Sequence, residues 1–165
     1  MTVDGFSTGS TIGNPDGPSG QVYREAMATG AVISGRRTFE LARRWQGDYH
    51  DGVPIFVLTH QVDDGDVPPG HVRFVTDVED CARQARAAAG DRPVMVHGAG
   101  AAQALLRAGQ IDEMEIHLVQ VLLGGGRRLF DHLGSDHIEL DLVRRLDDRD
   151  ITHLRYRVRR PEEAA

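Results

Sequence analysis

The residues best suited to chemistry in this sequence lie in a glycine-containing turn between an apolar strand and a helix. The motif His97-Gly98-Ala99-Gly100-Ala101 follows the apolar run of residues 93–96 and opens a segment rich in Ala, Leu and Gln. A helix N-terminus presents unpaired backbone N–H groups and the positive end of the helix dipole, which favour an anion. The motif therefore predicts a phosphate site formed by the backbone of four residues, namely Gly98, Ala99, Gly100 and Ala101.

Two other turns have the same layout. Gly35-Arg36-Arg37-Thr38 follows the apolar residues 31–34, and Thr59-His60 follows the apolar residues 53–58. Ligands bind at the carboxyl ends of parallel strands, and arginine guanidinium groups bind phosphate through paired N–H donors. Helix capping and solvated arginines would explain any one of these turns, but the three together favour a nucleotide-type ligand. A second glycine cluster, residues 124–126, follows another apolar segment.

Strands and helices alternate along most of the chain, which predicts an α/β fold. The predicted strands are residues 31–34, 53–58, 71–75, 93–96, 115–123, 137–146 and 151–159. The predicted helices are residues 21–28, 36–42, 78–89 and 99–108. The last two strands alternate with period two around the turn of residues 147–150, which is typical of an antiparallel hairpin. We therefore expect a mostly parallel central sheet with an antiparallel C-terminal hairpin.

The composition excludes several classes of protein. A chain of 165 residues predicts one domain, and a net charge of −6 argues against nucleic acid as the main partner. No run approaches the ~20 apolar residues of a membrane span. Cys81 is the only cysteine, which rules out an intrachain disulfide and fits a reducing cytoplasm. The absence of lysine excludes Schiff-base and P-loop lysine chemistry.

Six motifs occur in this chain in the order known from one family. They are Val3-Asp4-Gly5-Phe6, Ser34-Gly35-Arg36-Arg37-Thr38, Val57-Leu58-Thr59-His60, Val96-His97-Gly98-Ala99-Gly100, and the segments 111–118 and 121–130. The sequence resembles the dihydrofolate-reductase-like family, in the branch of the reductase domain of bacterial riboflavin biosynthesis. The resemblance implies a three-layer fold over residues 1–160, a short polar tail at residues 161–165, a homodimer, and an NADPH-binding (NADP) reductase acting on a small molecule.

The resemblance also implies roles for individual residues. Gly35, Arg36, Arg37 and Thr38 would contact the phosphates and ribose of the cofactor, and Gly98, Ala99, Gly100 and Ala101 would hold its pyrophosphate. Thr59 and His60 would lie near the adenine ribose, where a 2′-phosphate is read. Gly125 would border the nicotinamide. Asp4 would position the substrate or relay a proton, and Trp45 would line the substrate site or simply pack in the core. No metal site is expected.

Three departures from the family pattern limit what the resemblance implies. Only Met1 and Thr2 precede the Val3-Asp4-Gly5-Phe6 motif, where relatives have a full apolar strand. The region where folate reductases hold the pterin carries Ser19 and Gln21 rather than a carboxylate, which argues against dihydrofolate reduction. The lysine expected of the riboflavin-pathway enzyme is also missing.

Three functional hypotheses remain from the sequence. The leading one is NADPH-dependent reduction of a planar heterocycle or conjugated carbonyl of unknown identity. In the second, the chain is a nucleotide- or small-molecule-binding protein that kept the fold and lost the chemistry. In the third, the reductase uses a flavin or deazaflavin instead of NADPH.

Overall fold

A computed structural model describes residues 1–3, 16–49, 51–62, 65, 70–131, 133–134 and 137–160. The helices are α1 (Pro18–Met27), α2 (Arg36–Leu41), α3 (Val78–Ala89) and α4 (Ala99–Arg107). The strands are β1 (Ala31–Gly35), β2 (Ile55–Leu58), β3 (Val72–Val75), β4 (Val94–His97), β5 (Glu113–Val119), β6 (Leu140–Asp147) and β7 (Ile151–Val158). The chain divides into two compact units, one of residues 25–110 and one of residues 1–24 with 111–165.

The unit of residues 25–110 contains a four-stranded parallel sheet in the order β3-β2-β1-β4. Ser34 pairs with Val57 on β2 and with His97 on β4, so the strand ends lie in register at one edge. The central strand β1 is apolar and buried through Ser34, as expected for a parallel strand covered on both faces. The parallel arrangement predicted from the sequence is confirmed.

Helices cover the two faces of this sheet. Phe39 of α2 packs with Ile55, Val57 and Val72 on one face. The chain moves from β1 to β2 in one direction and from β3 to β4 in the other, so right-handed crossovers place α2 and α3 on opposite faces. Asp77 caps α3 by accepting a hydrogen bond from the Asp80 N–H at 2.8 Å, which explains why this helix has the predicted bounds.

The other unit contains a three-stranded antiparallel sheet in the order β5-β7-β6, so the predicted C-terminal hairpin is confirmed. Residues 1–3 run parallel to the end of β5 through one bridge between Thr2 and Val119. The strand predicted over residues 115–123 ends earlier, at Val119. The Val121 N–H bonds the Val119 carbonyl two residues back at 2.8 Å, which turns the chain away from the ladder.

Glu115 on β5 binds two arginines from the neighbouring strands. Its carboxylate oxygens accept from Arg144 of β6 at 3.0 Å and from Arg155 of β7 at 2.8 Å, and all three side chains are largely buried. Burial alone would raise the pKa of the Glu115 carboxyl, but the hydrogen bonds and charges of the two arginines outweigh it and lower the pKa. The carboxylate therefore joins all three strands of this sheet.

We expect Glu115→Gln to lower the free energy of unfolding by about 2 kcal/mol at pH 7, because two partly buried guanidinium groups lose their counter-charge. The pKa of the Glu115 carboxyl is lower in the folded protein than its value of 4.5 in the unfolded chain, so the carboxylate stabilises the folded state at every pH above 4.5. This contribution is lost as the pH falls through the folded-state pKa. Urea unfolding at pH 7 and in acid measures both effects. Glu113→Gln, an exposed carboxylate on the same strand, is the matched control; an equal loss in both variants would contradict the prediction.

No helix within the described ranges combines the length and apolar character needed to cross a bilayer. The assignment of residues 1–160 to one domain stays a prediction. The polar tail at residues 161–165 lies outside the described residues.

Candidate functional site

The order of the parallel strands creates a switch point between β1 and β4. The two strands are neighbours, and the turn after β1 enters α2 on one face, while the turn after β4 enters α4, which packs with α3 on the other face. At such a point the two turns diverge and leave a crevice at the carboxyl ends of the strands, where ligands of open α/β sheets bind. The two turns are those that carry the predicted phosphate-binding residues.

The structure brings four of the predicted residues into contact at this crevice. Gly98 has φ +95° and lies so close to Thr38 that an added Cβ would overlap the Thr38 Oγ1 and lie 3.1 Å from the Thr38 Cβ. On the other side of the junction, a Cβ added to Gly35 would lie 3.7 Å from the Cβ and the backbone N of Ala101. Glycine at position 98 is therefore required by both the backbone angle and the close approach of Thr38.

The first turn of α4 begins at this junction. Gly98 is its N-cap residue and offers no side-chain oxygen, and the first intrahelical bond runs from the Ala102 N–H to the Gly98 carbonyl at 3.0 Å. Three N–H groups precede that bond, those of Ala99, Gly100 and Ala101, and no backbone acceptor among the described residues pairs with them. Uncapped N–H groups at the positive end of a helix dipole form an anion site.

Arg36 and Arg37 follow Gly35 but differ in their surroundings. The Arg36 guanidinium lies 4.5 Å from the centroid of the Phe74 ring, and its Nε donates to a Glu40 oxygen at 2.9 Å. Arg37 is exposed, and no described acidic side chain forms an ion pair with it. Arg36 is therefore held in one orientation, whereas no acidic side chain in the described part of the chain offsets the charge of Arg37.

Thr59 and His60 follow β2 at the same edge, one strand away from Gly35. The Thr59 N–H bonds the Val75 carbonyl at 3.0 Å and extends the pairing with β3, while its hydroxyl donates to the Gln61 carbonyl at 2.9 Å. His60 is exposed. The two residues lie in line with the other turns along the strand ends, about 5 Å from β1, the distance between neighbouring strands.

An aromatic cluster that the sequence did not predict lies on the α2 face of this edge. Residues Arg43–Gly47 form a left-handed turn with positive φ at every position, which places Trp45 between Phe39 at 5.8 Å and His97 at 5.5 Å between ring centroids. Tyr49 packs edge-on against Trp45. Trp45, predicted either to line the substrate site or to pack in the core, is partly buried in this cluster.

Tyr49 and His97 form the polar part of the cluster. The Tyr49 Oη lies 2.9 Å from the His97 Nε2 and 3.7 Å from the Met95 Sδ, so a hydrogen bond joins the phenol to the imidazole and the sulfur packs beside it. Burial lowers the pKa of His97 below its ordinary value of 6.5. The residue immediately before the phosphate-type turn is thus a neutral imidazole at pH 7.

Two other predicted residues, Asp4 and Gly125, fall outside the unit of residues 25–110. Asp4 lies outside the described residues. Gly125 belongs to the unit of residues 1–24 and 111–165, where it is exposed and an added Cβ would meet nothing within 4 Å.

Across the described ranges, no three His, Cys, Asp or Glu side chains converge as metal ligands. Cys81 is buried in α3, and burial raises the pKa of its thiol to about 12, so it is not a nucleophile.

The sequence matches a known family. The family model described as the RibD C-terminal domain matches residues 1–155, which is nearly the whole chain. The chain belongs to this family. RibD C-terminal domains are reductase domains of riboflavin biosynthesis, so the resemblance drawn from the motifs is confirmed at the level of the family and its fold.

Solved structures show the same fold. A protein from Shewanella sp. PV-4 whose name assigns it to riboflavin biosynthesis has a TM-score of 0.75 and 24% identity, covering 97% of this chain and 96% of that one. A pyrimidine reductase-like protein from Corynebacterium diphtheriae has a TM-score of 0.68 and 14% identity, with 97% and 89% covered.

A third similar structure is a longer protein. It is a diaminohydroxyphosphoribosylaminopyrimidine deaminase/5-amino-6-(5-phosphoribosylamino)uracil reductase from Thermotoga maritima, with a TM-score of 0.67 and 16% identity. The match covers 95% of this RibD C-terminal domain but only 54% of the Thermotoga chain. Among curated proteins, none matches this sequence significantly.

Proposed function

We propose that this protein is an NADPH-dependent reductase that acts on a small planar heterocycle or conjugated carbonyl. The observation that carries the proposal is the junction of the turns after β1 and β4, where Gly98 lies against Thr38 beside the uncapped first turn of α4. This geometry supports a ligand with phosphates, and membership in a family of reductase domains supports a redox cofactor. A reductase with a nucleotide cofactor accounts for both.

The residues at the junction fit the phosphates of a dinucleotide. The N–H groups of Ala99, Gly100 and Ala101 would hold the pyrophosphate, while Gly35 and Gly98 allow the two turns to approach each other closely. The nicotinamide of bound NADPH would supply the hydride. The protein would orient the cofactor in a single position. The contact between the turns after β1 and β4 favours this because it fixes the distance between the two turns.

The charged and polar groups along the strand ends would set which cofactor binds. Arg37 would pair with a phosphate, and Arg36, held against Phe74 and Glu40, would present a fixed guanidinium edge beside it. Thr59 and His60 would read the adenine ribose, and the exposed His60 imidazole would contact a 2′-phosphate. These roles favour NADPH over NADH.

The proposal for the substrate side rests on the sequence. Asp4 would position the substrate or relay its proton, Trp45 would line the site through its exposed edge, and Gly125 would border the nicotinamide. We further propose that the protein is a homodimer and that it lies in the cytoplasm. The single buried cysteine fits a reducing compartment, because its thiol forms no disulfide within the chain.

Cofactor titration tests the proposal directly. We expect NADPH to quench the fluorescence of Trp45, the only tryptophan, and to bind more tightly than NADH. The complex is then offered a panel of pterins, ribityl-pyrimidines and quinones while the NADPH absorbance is followed. Binding without oxidation of NADPH across the panel would favour a binding protein, visible absorbance of the purified protein would favour a flavin or deazaflavin, and no binding near millimolar NADPH would overturn the proposal.

Arg37→Gln should weaken NADPH binding by about 1.5–3 kcal/mol, roughly 10- to 100-fold, because the charge-assisted contact to phosphate is lost. Arg36→Gln should have an effect of similar size if its guanidinium edge also contacts the cofactor. Arg92→Gln removes the same charge at the opposite edge of the sheet, ahead of β4, and should leave the Kd unchanged. Fluorescence titration measures all three. Equal Kd values for Arg37→Gln and Arg92→Gln would remove Arg37 from the site.

A further inference from the structure

Four side chains form a continuous hydrogen-bonded chain in the unit of residues 1–24 and 111–165. The Ser19 hydroxyl donates to the Asp148 Oδ2 at 2.6 Å, and the Ser19 Oγ lies 3.0 Å from the His153 Nε2. The His153 Nδ1 in turn lies 2.9 Å from the His117 Nδ1. His117 and His153 are directly opposite each other in the pairing of β5 with β7, and their rings meet edge-on, with centroids 5.0 Å apart and an angle of 71° between the ring planes.

The proton positions in this chain follow from the hydrogen bonds. Because the Ser19 proton points to Asp148, the Ser19 oxygen must accept from the His153 Nε2–H. The His153 Nδ1 then carries a lone pair, and the His117 Nδ1–H donates to it. The two facing nitrogens share a single proton, and both rings are neutral in this arrangement.

This chain fixes the first turn of α1. The Asp148 Oδ2 accepts from the Ser19 N–H at 3.3 Å as well as from its hydroxyl, so a residue of the β6–β7 turn caps a helix more than a hundred positions earlier. The first turn of α1 contains no acidic residue of its own. The hold on α1 therefore depends on Ser19 keeping its orientation, which His153 sets from the other side.

Charged groups from every neighbouring element face the histidine pair. They are Glu115 on β5, Arg144 on β6, Arg155 on β7, Asp148 in the β6–β7 turn, and the Met1 ammonium group. The Met1 ammonium donates to the His117 carbonyl at 2.7 Å. Burial is the main cause that lowers the pKa of both His117 and His153, while Glu115 opposes it at both rings and Asp148 opposes it at His153.

The two rings respond differently to protons. Neighbouring groups desolvate part of the His117 ring, but its side chain is more exposed than that of His153, and a proton at its Nε2 leaves the Nδ1–H bond to His153 in place. His153 is only 4% exposed, and the one ring nitrogen that carries no proton is the Nδ1, which accepts this bond. With the His117 Nδ1 already protonated, a proton at the His153 Nδ1 would set two N–H donors against each other at 2.9 Å, so the two rings must separate. The pair therefore tolerates one added proton but not two.

We propose that His117 and His153 form a pH-sensitive latch that holds the first turn of α1 on the β6–β7 turn while their Nδ1 atoms share one proton, and releases it when both carry protons. Release moves the His153 ring, which withdraws the Nε2–H from Ser19 and frees the Ser19 hydroxyl from its fixed orientation toward Asp148. The latch requires no cofactor and is independent of the reaction proposed above.

Amide hydrogen exchange of residues 16–27, measured between pH 7.5 and 4.5 and corrected for the intrinsic pH dependence of exchange, tests the latch. We expect protection of the α1 first turn to fall about tenfold across this range, as expected when two hydrogen bonds of ordinary strength are lost. Nitrogen NMR of the imidazoles at pH 7.5 should show His153 with its proton on Nε2 and none on Nδ1. Protection that stays constant in the unaltered protein, or a proton on the His153 Nδ1 at pH 7.5, would overturn the proposal.

Two variants and a control make the test specific. In His153→Gln and in His117→Gln the amide cannot take up a proton and can rotate to accept or donate, so α1 should stay protected at pH 4.5. His137→Gln removes an exposed histidine of the same unit and should keep the tenfold fall. If His153→Gln does not fold, the more exposed His117→Gln decides the result. A fall of equal size in His117→Gln and His137→Gln would assign the pH response to other groups.

Discussion

Replacing Gly98 with alanine should lower the free energy of unfolding by about 3 kcal/mol and the Tm by about 10 °C. Two costs add in this variant. The residue has φ +95°, which a side chain at Cβ disfavours, and its new Cβ would overlap the Thr38 Oγ1. Thr38 is β-branched and lies in α2, so its side chain has few other rotamers to adopt. Thermal unfolding followed by circular dichroism measures the loss.

A neighbour in the same turn provides the control. Gly100 has no atom within 4 Å of an added Cβ and no unusual backbone angle, so Gly100→Ala should be neutral or stabilise by up to about 1 kcal/mol. The double change Gly98→Ala with Thr38→Ala should recover about half of the loss, because the overlap with the hydroxyl disappears and the backbone strain remains. A Gly98→Ala variant as stable as the unaltered protein would mean that the turns after β1 and β4 are not in contact.

Gly70→Ala should cost about 3 kcal/mol and disturb the aromatic cluster around Trp45. Gly70 has φ +56°, and its added Cβ would overlap the Gly47 carbonyl oxygen and lie 3.0 Å from the carbonyl carbon. That carbonyl ends the left-handed turn and accepts the His71 N–H at 3.1 Å. Backbone atoms cannot move aside as a flexible side chain can, so the turn itself must shift.

The fluorescence of Trp45 reports this shift locally, since it is the only tryptophan. We expect its emission maximum to move to longer wavelength in Gly70→Ala as water reaches the ring. Gly65→Ala is the control, because Gly65 has φ +97° but no atom within 4 Å of an added Cβ. It should cost about 1 kcal/mol and leave the emission unchanged. The same spectrum and stability in both variants would argue against the close approach of Gly70 to Gly47.

The sequence carried enough information for most elements of the fold. Helix α3 has the predicted bounds because Asp77 provides a cap and the alanines repeat with helical spacing. The parallel strands were recognisable from short apolar runs followed by glycine or threonine turns. The strand predicted to reach residue 123 ends at Val119, where the Val121 N–H bonds the Val119 carbonyl. The sequence does not reveal this local bond, because the apolar run continues past it.

The candidate site could be predicted only in part. Alternating strands and helices implied that the turns at Gly35 and Gly98 share one edge, but not that Gly98 lies against Thr38, which depends on how α2 and α4 diverge. The left-handed turn could not be foreseen, because Arg43 to Gln46 contain no glycine and each non-glycine residue at positive φ costs about 1–2 kcal/mol. Tyr49 was missed because the left-handed turn brings it to His97. Phe74 was missed because the pairing of β3 with β2 brings it to Arg36.

The division of the chain into units has a consequence for its synthesis on the ribosome. Residues 25–110 are one continuous stretch, so the parallel sheet and its crevice are complete in the nascent chain before β5 is made. The other unit needs residues 1–24 from the start of the chain and residues 111–165 from its end. At about 5–20 residues per second, residues 1–3 and the first turn of α1 are synthesised several seconds before the strands that pair with them. During that interval Ser19 lacks the Asp148 and His153 side chains that hold it in the finished fold.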